Sequence, residues 1–230
     1  MMPLSPEEVR VVSASLALVT PTQSRLDALS SDERARGARF VFEAHRRRFT
    51  AARCLLRELL GELLETAPAE LRFEYGVAGK PALAWPKAEL RFNVSHSGDQ
   101  AVFAFARDVE IGVDIEEARG VDHAAIAQRF FSPAECEALR SLPAERRSRG
   151  FFEIWTRKEA FVKARGGGLT IALDSFDVSL GEPARLLRVA GEPEPARVGR
   201  IEALPAPASY CAAIAILGPG GRVRPASFPA

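Results

Sequence analysis

Cysteine is scarce in this chain: its 230 residues hold only Cys54, Cys136 and Cys211. They are odd in number and widely separated, and no two stand in a CxxC or other metal-ligand spacing. They read as reduced, mostly buried thiols of a cytoplasmic protein, since a free cysteine behaves as a small hydrophobe. Long apolar runs are also missing. The run Cys211–Leu217 is far short of the roughly 20 residues that span a bilayer. Net charge is nearly absent: 31 Lys and Arg against 30 Asp and Glu leave +1. No global field therefore draws the chain to nucleic acid or to an anionic membrane. The opening MMPLSPEEVR carries acids where an export signal would carry basic and then apolar residues, so none is expected. No convincing enzyme nucleophile stands out. His96 lies between Ser95 and Ser97, but chain neighbours rarely face each other as a triad requires.

What is present is ordered. Hydrophobic residues make up 47% and charged residues 27%, which suits a globular protein with a real core. Val9–Val19 reads as a strand. Ser30 and Glu33 have capping-box spacing, and a helix to about Phe42 follows. A second helix spans about Ala44 to Leu64, with Phe49, Ala52, Leu56, Leu59 and Leu63 as one apolar stripe. Leu71–Tyr75 reads as a strand, Gly76–Pro86 as a loop. Leu90–Val94 and Ala101–Ala106 read as strands around a turn-rich Ser95–Asp99. Then the order repeats. Ile111–Ile115 is a strand, Ser132 and Glu135 open a short helix, and a long helix covers about Arg149–Ala164. Gly166–Gly168 end that helix, because glycine tolerates the left-handed cap. Strands follow at Phe176–Leu180, Gly199–Ala203 and Tyr210–Leu217. Two similar α+β halves are the expectation, residues 1–108 and 109–217, with a loose Gly/Pro-rich tail at 218–230.

Three segments carry chemistry. In Gly112-Val-Asp-Ile-Glu116, residues two apart on a strand share a face, so Asp114 and Glu116 stand side by side. Alone, this reads first as an exposed edge strand with acids in water. The second reading is a pair of hard oxygen ligands for Mg²⁺. In Trp155-Thr-Arg-Lys-Glu-Ala-Phe-Val-Lys163, Glu159 and Lys163 are four apart on a helix. That also suits a plain surface ion pair of about 0.2–0.5 kcal/mol. As chemistry, Glu159 is a third carboxylate over a metal or a general base, and Lys163 reaches a phosphate. From Arg25 to Arg57 there are nine arginines against four acids. A solvated helix face, an organic-phosphate site and a nucleic-acid surface all stay open. The arginine fork suits phosphate oxygens, whereas the near-neutral whole and few local aromatics weigh against nucleic acid.

Taken as a set, Phe92-Asn-Val-Ser-His-Ser97, Gly112–Glu116 and Trp155–Lys163 resemble the three signature blocks of phosphopantetheinyl transferases, in order and at similar distances. The likeness is to the larger, surfactin-synthetase-activating type. It implies two similar α+β halves related by pseudo-twofold symmetry, with coenzyme A in the cleft between them. The N-terminal half would carry the 3′-phosphate and nucleotide side, and the C-terminal half the metal and catalysis. By the same resemblance, Asp114, Glu116 and Glu159 hold Mg²⁺ and Lys163 contacts the diphosphate. Lys80 lies along the nucleotide. Ser95, His96, Arg36 and Arg48 surround the 3′-phosphate, and Glu135 matches a further acid at the site. A basic position of the family falls at Glu33 here, or is taken over by Arg34.

The implied reaction is attack by a serine of an apo acyl or peptidyl carrier protein on the β-phosphorus of coenzyme A. It releases 3′,5′-adenosine bisphosphate, with Glu159 as base. The resemblance further implies a cytoplasmic monomer active in secondary-metabolite assembly. Its carrier would dock near Gly166–Ser175 through Leu169, Ile171 and Leu173. Two other readings of the same residues are a metal-dependent phosphodiesterase and a coenzyme A-binding module without activity.

Overall fold

Two helices of 22 residues each organise the chain, and a computed structural model describes residues 4–76, 79–119, 123–218 and 220–228, the side chain of Leu169 excepted. In the N-terminal half β1 (Glu8–Ser15) leads into α1 (Gln23–Asp27), α2 (Ser31–Ala38) and the long α3 (Glu43–Leu64). The hairpins β2 (Arg72–Tyr75) with β3 (Pro81–Trp85) and β4 (Leu90–Ser97) with β5 (Gln100–Arg107) follow. The C-terminal half begins with β6 (Ile111–Glu117), then α4 (His123–Phe130), α5 (Pro133–Arg140) and the long α6 (Ala144–Arg165). β7 (Phe176–Val178), β8 (Leu186–Val189), α7 (Pro195–Val198), β9 (Gly199–Ala203), β10 (Tyr210–Leu217) and β11 (Arg222–Ser227) complete it. Strand, helices, long helix and strands thus occur twice in the same order, and the class is mixed α+β. Among the described residues no helix is long and apolar enough to cross a membrane.

Each long helix covers one sheet. The first sheet runs β11-β1-β5-β4 and the second β6-β10-β9. The stripe of α3 (Phe49, Ala52, Leu56, Leu59, Leu63) is buried as its spacing predicts. Leu56, Leu59 and Leu63 pack in one core with Val12, Phe92, Phe103 and Phe105 of the first sheet. In the second half Ile154, Phe161 and Ala164 of α6 pack against Ala213 and Ala215 of β10. Alternate residues of the same strands (Val102 and Ala104 of β5, Val113 and Ile115 of β6, Ile214 and Ile216 of β10) form a third core between the sheets. The layers therefore run helix, sheet, sheet, helix.

Several sequence expectations are corrected. The tail is not loose: β11 pairs in parallel with β1, Glu8 opposite Arg222, and Phe228 N donates to Ser13 O at 2.9 Å. The open edge of β1 supplies the backbone partners that local composition does not reveal. Pro225 is tolerated because an edge strand does not need its missing N–H. Strand β1 ends at Ser15, not Val19, and α2 stops at Ala38. Within the segment read as loop, 81–85 form β3 against β2. Ser95, His96 and Ser97 are not in a turn. They continue β4, and the reversal is made by Gly98 and Asp99.

Candidate functional site

A cleft of about 1160 Å³ opens between α3 and α6. Its α3 side holds Phe49, Ala52, Arg53 and Leu56, with Arg36 of α2 above. Its α6 side holds Glu159, Val162 and Lys163, followed by Gly166–Gly168. β4 contributes Asn93, Val94 and His96, the β2–β3 hairpin Lys80, and the end of α4 Arg129 and Phe130. Of the predicted residues, then, Arg36, Lys80, His96, Glu159 and Lys163 face one space.

The acids lie beside it. Gly112 explains how α6 reaches them: a Cβ there would stand 2.2 Å from Ala160 O and 2.3 Å from Ala164 N. Only a bare backbone lets α6 cross β6 so closely, at the residues next to Glu159 and Lys163. Asp114 is not the exposed edge acid of the simplest reading. It is buried, and its Oδ1 accepts from Lys163 Nζ at 2.6 Å and from Ser95 Oγ at 2.8 Å. Its Oδ2 is buried with no hydrogen-bond partner. Glu116 Oε2 accepts from Ser97 Oγ at 2.7 Å.

Electrostatics set the acids apart. The carboxyl of Glu159 is raised above its ordinary pKa by burial first, then by the charge of Asp114, with Lys163 acting the other way. Glu116 is raised by burial first and also by Asp114, against the Ser97 hydrogen bond and Lys163. Two carboxyls, Glu116 and Glu159, raised by burial and by neighbouring acid charge favour a bound cation. Hard oxygens with one orphaned, buried atom suit Mg²⁺, so the donor set fits that ion. Among the described residues no three His, Cys, Asp or Glu side chains are grouped to hold a metal ion as they stand; Lys163 is the present counter-ion of Asp114.

Basic groups share the cleft with Glu159. His96 opens to the cleft, and its imidazole is held below the ordinary value by desolvation against the cleft walls, then by the charges of Lys163, Arg48 and His45. Lys80 donates to Lys163 O at 2.9 Å and Ile111 O at 3.2 Å, tying the hairpin to the other half. Burial lowers its ammonium pKa, partly offset by Glu110. Arg36 lies over the Phe49 ring at 5.6 Å. Arg48 is held on Asp99, its Nε 2.9 Å from Oδ1, and Arg47 shares that oxygen at 2.7 Å.

Three expected positions turn out to be structural or engaged elsewhere. Ser95 spends its hydroxyl on Asp114 and Lys163. Glu135 does not join the site: it caps Ser132, accepts from Val178 N at 2.8 Å and pairs with buried Lys158 at 2.8 Å. Glu33 is 1% exposed and pairs with Arg57 at 2.7 Å and Arg53 at 3.3 Å, so it is a core acid. Arg34 donates to Leu29 O. Ile171 and Leu173 are half-buried on the second core and line the cleft, whereas the Leu169 side chain lies outside the described residues. Arg53, counted in the arginine-rich segment but not singled out, is a buried cleft residue near the rings of Phe73 and Tyr75 whose Nη2 donates to Tyr75 Oη at 3.2 Å. Its place on the apolar stripe, four after Phe49 and three before Leu56, was the available signal.

Comparison with known proteins identifies the family. Residues 110–215 match the family model described as the 4′-phosphopantetheinyl transferase superfamily. Residues 20–107 match that of the 4′-phosphopantetheinyl transferase N-terminal region. Over 163 residues the chain is 47% identical to the 4′-phosphopantetheinyl transferase HetI of Nostoc sp., covering 69% of this chain and 68% of that protein. It is 35% identical over 166 residues to the transferase ffp of Bacillus subtilis, 72% of each chain. With the transferase Sfp of the same species it shares 30% over 158 residues, 69% of each chain. The chain belongs to the 4′-phosphopantetheinyl transferase superfamily.

Proposed function

We propose that this protein moves the 4′-phosphopantetheine group of coenzyme A onto a serine of an apo acyl or peptidyl carrier protein and releases 3′,5′-adenosine bisphosphate. The observation that carries the reading is one cleft in which Lys163, Lys80, His96 and Arg36 face the same space as Glu159, with the Asp114 and Glu116 carboxylates beside it. A diphosphate needs both kinds of group: Lys163, Lys80 and His96 face its oxygens, and acids can approach it only across a cation.

Asp114, Glu116 and Glu159 would hold Mg²⁺, whose positive charge, when bound, offsets the charge on the phosphoryl oxygens. Lys163 stabilises charge as it develops there. Glu159 takes the serine proton, directly or through a water. Its carboxylate lines the cleft on α6, four residues before Lys163. Arg36, Arg48 and His96 serve the 3′-phosphate, and Ser95 backs them from behind Lys163. No enzyme nucleophile takes part, because the carrier brings its own hydroxyl. The carrier docks beside Gly166–Ser175, where Ile171 and Leu173 already border the cleft. The protein acts as a cytoplasmic monomer, in keeping with three free cysteines.

The test is the intact mass of apo carrier proteins incubated with this protein, coenzyme A and Mg²⁺, with an EDTA control. A metal-dependent gain of one phosphopantetheine group is the expected result. Coenzyme A cleaved without transfer would instead mean a phosphodiesterase, and coenzyme A bound but intact a binding module.

A further inference from the structure

Strands β4 and β6 belong to different sheets, so no backbone ladder sets one against the other. Side chains do it instead. Asn93 Oδ1 accepts from Val113 N at 2.8 Å. Ser95 Oγ donates to Asp114 Oδ1 at 2.8 Å, and Ser97 Oγ to Glu116 Oε2 at 2.7 Å. Ser97 Oγ also accepts from Glu117 N at 3.3 Å. The three residues sit at successive alternate positions of β4 and are all buried. Their partners step along β6 in the same direction. The contacts cross from the N-terminal half to the C-terminal half.

We infer that Asn93, Ser95 and Ser97 are positioning residues: a side-chain ladder by which the N-terminal half sets where the Asp114 and Glu116 carboxylates stand. Each rung has a separate task. Asn93 holds the backbone of β6 at the residue before Asp114. Ser95 fixes one oxygen of Asp114 and leaves Oδ2 without a partner. Ser97 fixes one oxygen of Glu116 and, through Glu117 N, the backbone just beyond it. A slip of one residue along the strand would carry the acids about 3.3 Å away and turn them to the other face. His96, between the two serines, faces the cleft. One strand thereby presents a phosphate-side group and, on alternate positions, orients the acids. Glycine or alanine at these three positions could not do this, because the link is made by the side-chain oxygen alone.

The inference rests on the assignment of Asp114, Glu116 and Glu159 as cation ligands, and the experiment separates the two. Mn²⁺ is the probe, titrated by electron paramagnetic resonance into the full-length protein with coenzyme A and no carrier. Groups that orient a ligand commonly change metal affinity by about 10–100-fold when removed, so Ser97→Ala is expected to weaken Mn²⁺ at least tenfold. Coenzyme A affinity measured without metal stays unchanged, and Ser97→Thr, which keeps the hydroxyl, restores Mn²⁺ binding. Should Ser97→Ala lose its cooperative melt, the isosteric pair Ser97→Thr and Ser97→Val makes the same comparison. Equal Mn²⁺ affinity with and without the hydroxyl overturns the ladder while leaving the ligand assignment intact. A wild-type protein that holds no Mn²⁺ overturns the ligand assignment, and the ladder's role with it.

Discussion

Lys163 Nζ lies 2.6 Å from Asp114 Oδ1, so the buried carboxylate of β6 already has a cation of its own from α6. Ser95 Oγ shares the same oxygen. One oxygen of Asp114 is thus saturated by protein groups and the other has none. In the proposed function this pair joins the acid offered to a metal and the ammonium offered to a diphosphate.

Glu159 is argued to be the base, and Glu159→Gln separates that role from binding. The amide keeps the shape and a carbonyl oxygen but takes no proton. Transfer is expected to fall by about 10²- to 10⁴-fold, with coenzyme A still bound in isothermal titration. Transfer at the wild-type rate would remove the base assignment.

Lys158 and Lys163 are five apart on α6 and have opposite fates. Lys158 is fully buried, donates to Leu173 O and Phe176 O at 2.7 Å, and pairs with Glu135. Burial lowers its ammonium pKa, and Glu135 opposes that. Lys158→Ala removes the only cation paired with buried Glu135 among the described residues, and breaking such a buried pair costs about 3–5 kcal/mol. Lys163→Ala is expected to leave the urea midpoint near that of the parent while transfer falls by about 10²- to 10³-fold, as for loss of one transition-state donor. Urea melts and transfer rates of both variants decide; if the two behave alike, the division is wrong.

Glu33 answers whether a phosphate contact was lost or never there. It holds Arg53 and Arg57 in the core of the N-terminal half. Glu33→Ala is expected to lower stability by about 3–5 kcal/mol, a large share of the roughly 5–15 kcal/mol of a typical domain. A folded variant whose only change is tighter coenzyme A binding would show that Glu33 matters as a charge near the ligand instead.

Cys54 and Cys211 give a pH prediction. Burial pushes each thiol from its ordinary 9.0 up to about 11. The folded state thus favours the neutral thiol. The stability this contributes is complete below about pH 9 and is lost as the pH rises through about 11. Chemical melts should show stability falling across that window. At pH 8 a thiol reagent should reach half-buried Cys136 first, and Cys54 and Cys211 only as the protein unfolds. Rapid labelling of all three in the folded protein would contradict the burial.

The long helices, both capping boxes and most strands were legible because each rests on local rules. Apolar stripes at three- and four-residue steps, Ser–x–x–Glu at a helix start and glycine at its end all act within one turn. Glu159 and Lys163 could be put on one face of one helix for the same reason. Asp114 and Glu116 could be put on one face of one strand. The family's three blocks were legible as a pattern of residues.

Tertiary structure alone decided what those residues touch. No periodicity says that 222–227 return to the open edge of β1, 214 residues from their partners, because backbone pairing there needs only a free edge. The burial of Asp114 depends on α6 crossing at Gly112 and on β4 arriving from the other half. The same is true of Ser95, whose alternation with Ser97 was in the chain but whose partner was not. Glu135 and Glu33 carry capping signals in the sequence, yet only the packed core reveals that each also neutralises a buried cation. A sequence determines by itself what neighbours in the chain can do; distant charges meet only when burial leaves them no water, and that is settled by the fold.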